Sequence, residues 1–112
     1  MNAQSTDIEF EINLDLEGRI TSASPLVERS IGYHAEELVG QPLASLVHFQ
    51  DVPGLNERLR LALAGDSGEH ALRLLGKYGD IRQVRASSRP RFREGSAVGL
   101  SALIVDVTPG EN

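Results

Sequence analysis

The 112-residue sequence contains no cysteine. That excludes disulfides, thiolate nucleophiles and cysteine-ligated metals, and it suits a cytoplasmic setting. No apolar run approaches the ~20 residues that a membrane-spanning helix needs, so direct membrane insertion is not expected. The opening residues, Met1 to Asp7, are polar and do not read as a secretory leader. Positive charge is scarce: the formal net charge is −5. A chain of that sign is a poor match for phosphate backbones, so nucleic acid is not expected as a partner. The one basic stretch holds Arg82, Arg85, Arg89, Arg91 and Arg93. It reads as a solvated strand and its exit, or as a docking patch for an acidic partner. Phosphate loops are missing too, since Gly65-Asp66-Ser67-Gly68 lacks both the lysine and the following helix. His34, His48 and His70 include no pair spaced four apart, which leaves no helical metal pair. No Ser, His and Asp are placed as a triad, and paired carboxylates fall on turns or wet faces. No catalytic residue is assigned.

What is present is pattern. Ile8, Phe10, Ile12, Leu14 and Leu16 alternate with polar residues, the period of a strand with one buried face. Glu17-Gly18 supplies a turn and residues 19–23 a second strand, so the chain opens on a hairpin. Residues 24–49 then read as short helices punctuated by Gly and Pro. Ser24-Pro25 starts the first and Gly32 ends it; residues 35–39 form another, and a third follows Pro42. Residues 51–64 place Val52, Leu55, Leu59, Ala62 and Leu63 at helical spacing, with Asp51 as N-cap and Pro53 in the first turn. Three strands close the chain: 69–77, 81–92 and 97–107, joined at Tyr78-Gly79-Asp80 and Arg93-Glu94-Gly95-Ser96. The expected class is α+β. A five-stranded antiparallel sheet in the order β-β-short helices-long helix-β-β-β carries its helices on one face.

Four segments together resemble the PAS domain family, of the bacterial sensor-kinase and diguanylate-cyclase type. Glu17-Gly18-Arg19-Ile20 with Ser24-Pro25 is similar to the family's Asp/Asn-Gly-x-Ile and Asn/Ser-Pro-Ala elements. Ile31-Gly32-Tyr33 with Glu36-Glu37-Leu38-Val39-Gly40 is similar to its Leu-Gly-Tyr…Glu-Glu-Leu-x-Gly helix pair. Val47-His48-Phe49-Gln50-Asp51 resembles its His-Pro-Glu-Asp stretch. Lys77-Tyr78-Gly79-Asp80 and the closing Asp106-Val107-Thr108 resemble Lys-Asp-Gly-Ser and Asp-Ile-Thr. Phe49 and Tyr78 depart from the usual Pro and Asp. The resemblance covers residues 8–108. It implies a polar tail at 1–7, and a stub at 109–112 leading to an effector. By resemblance that effector is a histidine kinase or a cyclic-nucleotide output domain.

The resemblance further implies a sensory or dimerisation module, not an enzyme. Flavin-thiol photochemistry is excluded without cysteine, and haem lacks a histidine on the long helix. No cofactor is named by the sequence. The fold would enclose a small cavity walled by Tyr33, Leu46, Phe49, Leu55, Leu59, Leu72, Leu74, Val84, Leu103 and Val105. Either a small apolar or amphipathic ligand binds there or these residues fill the space themselves. Arg85, Ser87 and Ser101 could orient a ligand. His48 is read as structural, and His34 and His70 as turn or strand-start residues. The last strand is apolar on both faces, so the outer face of the sheet should be covered. A second copy of the domain or an N-terminal helix would serve, and a homodimer through Val98, Leu100, Ala102 and Ile104 is the expectation. Asp106, Thr108 and Arg19 are expected to relay the signal, with Asp106 pairing Arg19 or simply capping the strand end. Two alternatives stay open. One is a ligand-free scaffold. The other, from a different class, is a cone-shaped isomerase-like enzyme with a buried carboxylate base of raised pKa.

Overall fold

A computed structural model describes residues 7–66 and 68–110. The ends of the expected tail and stub, and Ser67 of one expected turn, lie outside the described residues. The alternating segment forms β1 (Ile8–Asp15), with Phe10, Ile12 and Leu14 buried and the residues between them exposed or half-exposed. Gly18 turns the chain at φ +83° into β2 (Ile20–Ala23). The closing strands are β3 (Glu69–Leu75), β4 (Ile81–Arg93) and β5 (Ser96–Asp106). All neighbours are antiparallel, in the spatial order β2-β1-β5-β4-β3.

That order explains the helical roof. β2 and β3 are consecutive strands but occupy opposite edges of the sheet. The chain between them must cross the whole sheet, and it does so over one face. It carries α1 (Val27–Ile31), α2 (Ala35–Leu38), 3-10 turns at Leu43–Leu46 and Phe49–Asp51, and α3 (Val52–Leu63). α1 stops at Gly32, whose φ of +83° is the left-handed cap expected of glycine. Pro53 lies in the first turn of α3 as expected. The Asp51 side chain does not cap that helix. Its carboxylate instead accepts hydrogen bonds from the Arg73 backbone N–H and guanidinium, at 2.8 to 3.0 Å, and pins the start of α3 to β3. Leu55 and Ala62 of α3 are buried against the sheet, with Leu59 and Leu63 packed beside them.

The faces of β5 are the reverse of the sequence expectation. Leu100, Ala102 and Ile104 are 1 to 3% exposed and belong to the core, whereas Leu103 is 45% exposed. The cause is register. Leu100, Ala102 and Ile104 stand opposite Leu14, Ile12 and Phe10 of β1. Directly opposed residues share a face, and that face of β1 is the apolar one. The three therefore cannot form an outer dimer face, and Val98 is half-buried near the strand's start.

Candidate ligand cavity and signal node

Beneath α3 lies a small apolar cavity. Its walls include Leu55 and Leu59 from α3, Leu72 and Leu74 from β3, Ala86 from β4, and Ala102 and Ile104 from β5. Its volume is about 20 Å³, room for one water molecule. As it stands, neither a flavin nor a haem fits. Arg58 and His70 line this cavity on one side and an open cleft of about 320 Å³ on the other. Gln50, Asp51, Gly54 and Ala71 complete the cleft. They come together because β3 turns His70, Leu72 and Leu74 inward on its two-residue period while α3 crosses above them. The His70 Nδ1 is shut off from solvent and has no hydrogen-bond partner among the described residues. Burial first, and then the positive charge of Arg58, hold its pKa below the ordinary histidine value, against a smaller opposing pull from Glu69. Among the described residues, no three His, Asp or Glu side chains gather as a metal site.

The second feature sits at the end of β5. Asp106 is 4% exposed, and its Oδ2 accepts hydrogen bonds from Ser30 Oγ at 2.6 Å and Arg82 Nε at 2.8 Å. Its Oδ1 accepts from the Thr108 backbone N–H at 2.9 Å. Thr108 Oγ1 in turn accepts from the Gln83 N–H at 2.7 Å. Burial alone would raise the Asp106 carboxyl. The hydrogen bonds from Arg82, Ser30 and Thr108 outweigh it and hold the group below the usual carboxylate range. One carboxylate thus joins α1, β4 and the exit from β5. Arg19 takes no part. It lies in the β1–β2 turn, where its N–H donates to Asp15 Oδ1, while Asp106 pairs Ile8 at the far end of β1.

The sequence profile of the PAS fold matches residues 20–103, well over half of the chain. The chain belongs to the PAS fold family. Its fold is also that of solved PAS domains. It is similar to the PAS domain of a protein from Colwellia psychrerythraea, with a TM-score of 0.79 and 26% identity, covering 90% of this chain and 87% of that one. It also shares its fold with the PAS-B domain of Drosophila melanogaster Cycle, solved with bound ethylene glycol, with a TM-score of 0.73 and 16% identity, covering 83% of this chain and 94% of that one. No curated protein sequence matches the chain. PAS domains are, in general, sensory and interaction modules.

Within this PAS domain the expected pocket residues divide. Leu55, Leu59, Leu72 and Leu74 line the cavity. Leu46 and Val84 are core residues that do not reach it. Tyr33 packs on the core edge, with Lys77 Nζ 5.9 Å from its ring centroid. Phe49 is 74% exposed and stacks on the His48 ring, so it is no pocket residue. His48 itself is structural, its Nδ1 accepting the Gln50 N–H at 3.1 Å. Leu103 and Val105 lie on the outer face of the sheet, as do Arg85, Ser87 and Ser101, which therefore cannot orient a ligand in the cavity. The sequence reading missed Arg58, His70 and Ser88 in the walls and Ser30 and Arg82 around Asp106. A signal existed for two of them: Ser30 shares the apolar helical face of Val27 and Ile31, and His70 is in phase with Leu72 and Leu74.

Proposed function

We propose that this PAS domain senses a small ligand or partner and passes the change through the end of β5 to an effector domain. The parent would be a bacterial cytoplasmic signalling protein, of the kind that the motifs resemble. The observation that carries this reading is the buried Asp106. It holds roof, sheet and exit together, so displacement of α1 or β4 alters the hydrogen bonds around the carboxylate that fixes Thr108. A small difference in such contacts is sufficient to bias a two-state element. The Cycle PAS-B domain, solved with bound ethylene glycol, supports the reading that a domain of this fold binds small molecules. Native mass spectrometry of the purified protein would reveal a co-purified ligand, and hydrogen exchange at residues 104–108 would be compared with and without it. Identical exchange in the two states would remove the relay.

A second reading, homodimerisation, is favoured by the outer face of the sheet. On that face Leu103 sits centrally on β5, with Glu9 and Glu11 on the β1 side and Arg85 and Arg89 on the β4 side. A two-fold axis along β5 would set Leu103 against its own copy and the acidic edge of each sheet against the basic edge of the other. The expected Val98, Leu100, Ala102 and Ile104 surface is thus replaced by the Leu103 and Val105 surface. The isomerase alternative called for a buried carboxylate of raised pKa; Asp106, the buried carboxylate among the described residues, is instead ion-paired and its pKa is lowered.

A further inference from the structure

Arg58 and His70, with Leu55 and Leu72, form the wall shared by the open cleft and the apolar cavity. The two spaces differ in character. The cleft adds the polar Gln50 and Asp51 to the shared Leu55 and Leu72, and the cavity adds Leu14, Leu43, Leu59 and Ile104. A molecule that spans both must have a polar end and an apolar end.

The charge on that wall is left over. Arg60, Arg73, Arg82 and Arg85 each pair with a carboxylate. Arg58 has no carboxylate partner among the described residues. Asp51, the acidic group in the cleft, is taken up by three hydrogen bonds from Arg73. Glu69 is engaged by Arg85 at 3.7 Å. Asp66, in the loop after α3, accepts the Gly68 N–H. Beside Arg58 sits the orphaned Nδ1 of His70. Buried polar atoms are nearly always partnered, and this one is closed to solvent, so a ligand atom supplies the missing bond only where the wall that Arg58 and His70 share opens.

We propose that this cleft binds a small organic carboxylate with a short apolar tail. Its carboxylate takes the Arg58 guanidinium and a hydrogen bond from His70 Nδ1, and its tail enters the cavity beneath α3. Arg is the natural partner, because its fork of N–H groups matches a carboxylate. An imidazole can place its proton on Nδ1 to donate, and a bound anion offsets the positive charge that now disfavours its protonation. The tail must be short. The cavity holds one water as it stands, so entry requires Leu55, Leu59 or Leu72 to change rotamer. This assignment rests on the reading of the domain as a sensor, since it names the class of molecule sensed.

Hexanoate, 1-hexanol and inorganic phosphate would be titrated into the isotopically labelled protein and followed by NMR. Hexanoate should shift the amides of Leu55, Arg58, His70 and Leu72 and raise the His70 pKa. Hexanol and phosphate should bind at least about tenfold more weakly, each lacking one half of the recognition. Arg58 is exposed, so Arg58→Gln should fold normally and weaken hexanoate by about tenfold, with Arg58→Lys in between. His70→Gln should weaken it less and leave hexanol unchanged. Hexanol binding as well as hexanoate, no loss in Arg58→Gln, or no shifts at millimolar hexanoate would overturn the proposal. Shifts at the cleft without any at residues 106–108 would uphold the site and remove the relay.

Discussion

Asp106 and Arg82 form an ion pair of unequal depth: the carboxylate side chain is 2% exposed and the guanidinium side chain 27%. The buried partner is the vulnerable one. Removing Arg82 leaves a carboxylate with no counter-charge, whereas removing the Asp106 charge leaves an arginine that can turn to water. Arg82→Met should therefore destabilise by about 2 kcal/mol, and Asp106→Asn by less. Urea denaturation of both variants and the double variant tests this. Strict additivity would show that the two residues do not interact.

The same carboxylate sets an acid limit. Its folded pKa lies below its ordinary value, so its contribution is complete above the unfolded value of about 3.9 and is lost as pH falls through the lower folded value. Unfolding midpoints should fall as pH drops below about 3.9, and Asp106→Asn should flatten that fall. The lowered carboxyls of Glu37 and Asp51 contribute less, being paired at or near the surface.

His70 should act higher on the pH scale. A histidine whose folded pKa is depressed contributes fully above the unfolded value of about 6.5 and loses that contribution as pH falls through the folded value. The groups around it are Arg58 on α3, Glu69 on its own strand and Asp66 in the preceding loop. A shallow loss of stability is expected as pH falls below about 6.5. Arg58→Gln should reduce it by removing the repulsion, and His70→Gln should abolish it. A slope unchanged in His70→Gln would place its origin elsewhere.

The strands and α3 were legible in the sequence because period two and period 3.6 leave different marks. β1 shows it best, with every outward position polar or charged. What pattern could not supply was the inward face of β5. Both of its faces are apolar, and alternation separates two sets without saying which is buried. One hint lay in Ser101, which shares parity with Leu103 and Val105 and so marks that set as the wetter one. The decisive fact is the pairing of β5 with β1, a contact across about ninety residues of chain. Asp106 was misjudged for the same reason. Of its two readings, the pairing with Arg19 fails because antiparallel pairing carries Asp106 to the opposite end of β1, while its bond from the Thr108 N–H matches the strand-end cap. The tightness of the cavity also depends on rotamers and cannot be read from composition.

Leu103 offers a clean test of the outer face. It is 45% exposed and outside the core, so Leu103→Asp should change stability by no more than about 0.5 kcal/mol. If the two-fold arrangement holds, the same change sets two carboxylates together at the centre of the interface and should yield monomers. Sedimentation equilibrium at high protein concentration distinguishes the cases. A wild-type chain that stays monomeric there would rule out the self-complementary face.

Gly99 should tolerate nothing larger. It lies buried in β5, opposite Asp15 of β1 and Arg91 of β4, beside the irregularity at Arg91 and Phe92. A Cβ at this position would run into the Leu14 carbonyl oxygen and come within 3.0 Å of the Arg91 guanidinium, which itself donates to that carbonyl at 3.3 Å. The obstacle is largely backbone, so relief requires β1 and β5 to part locally. Gly99→Ala should destabilise by about 1–3 kcal/mol and speed amide exchange around Leu14. Gly40→Ala provides the contrast, because its φ of +91° is strained but nothing lies within 4 Å of the added carbon. Its loss should be about 1 kcal/mol, without any effect on exchange at Leu14. Equal exchange at Leu14 in both variants would mean that the close approach of these two central strands is not what requires glycine.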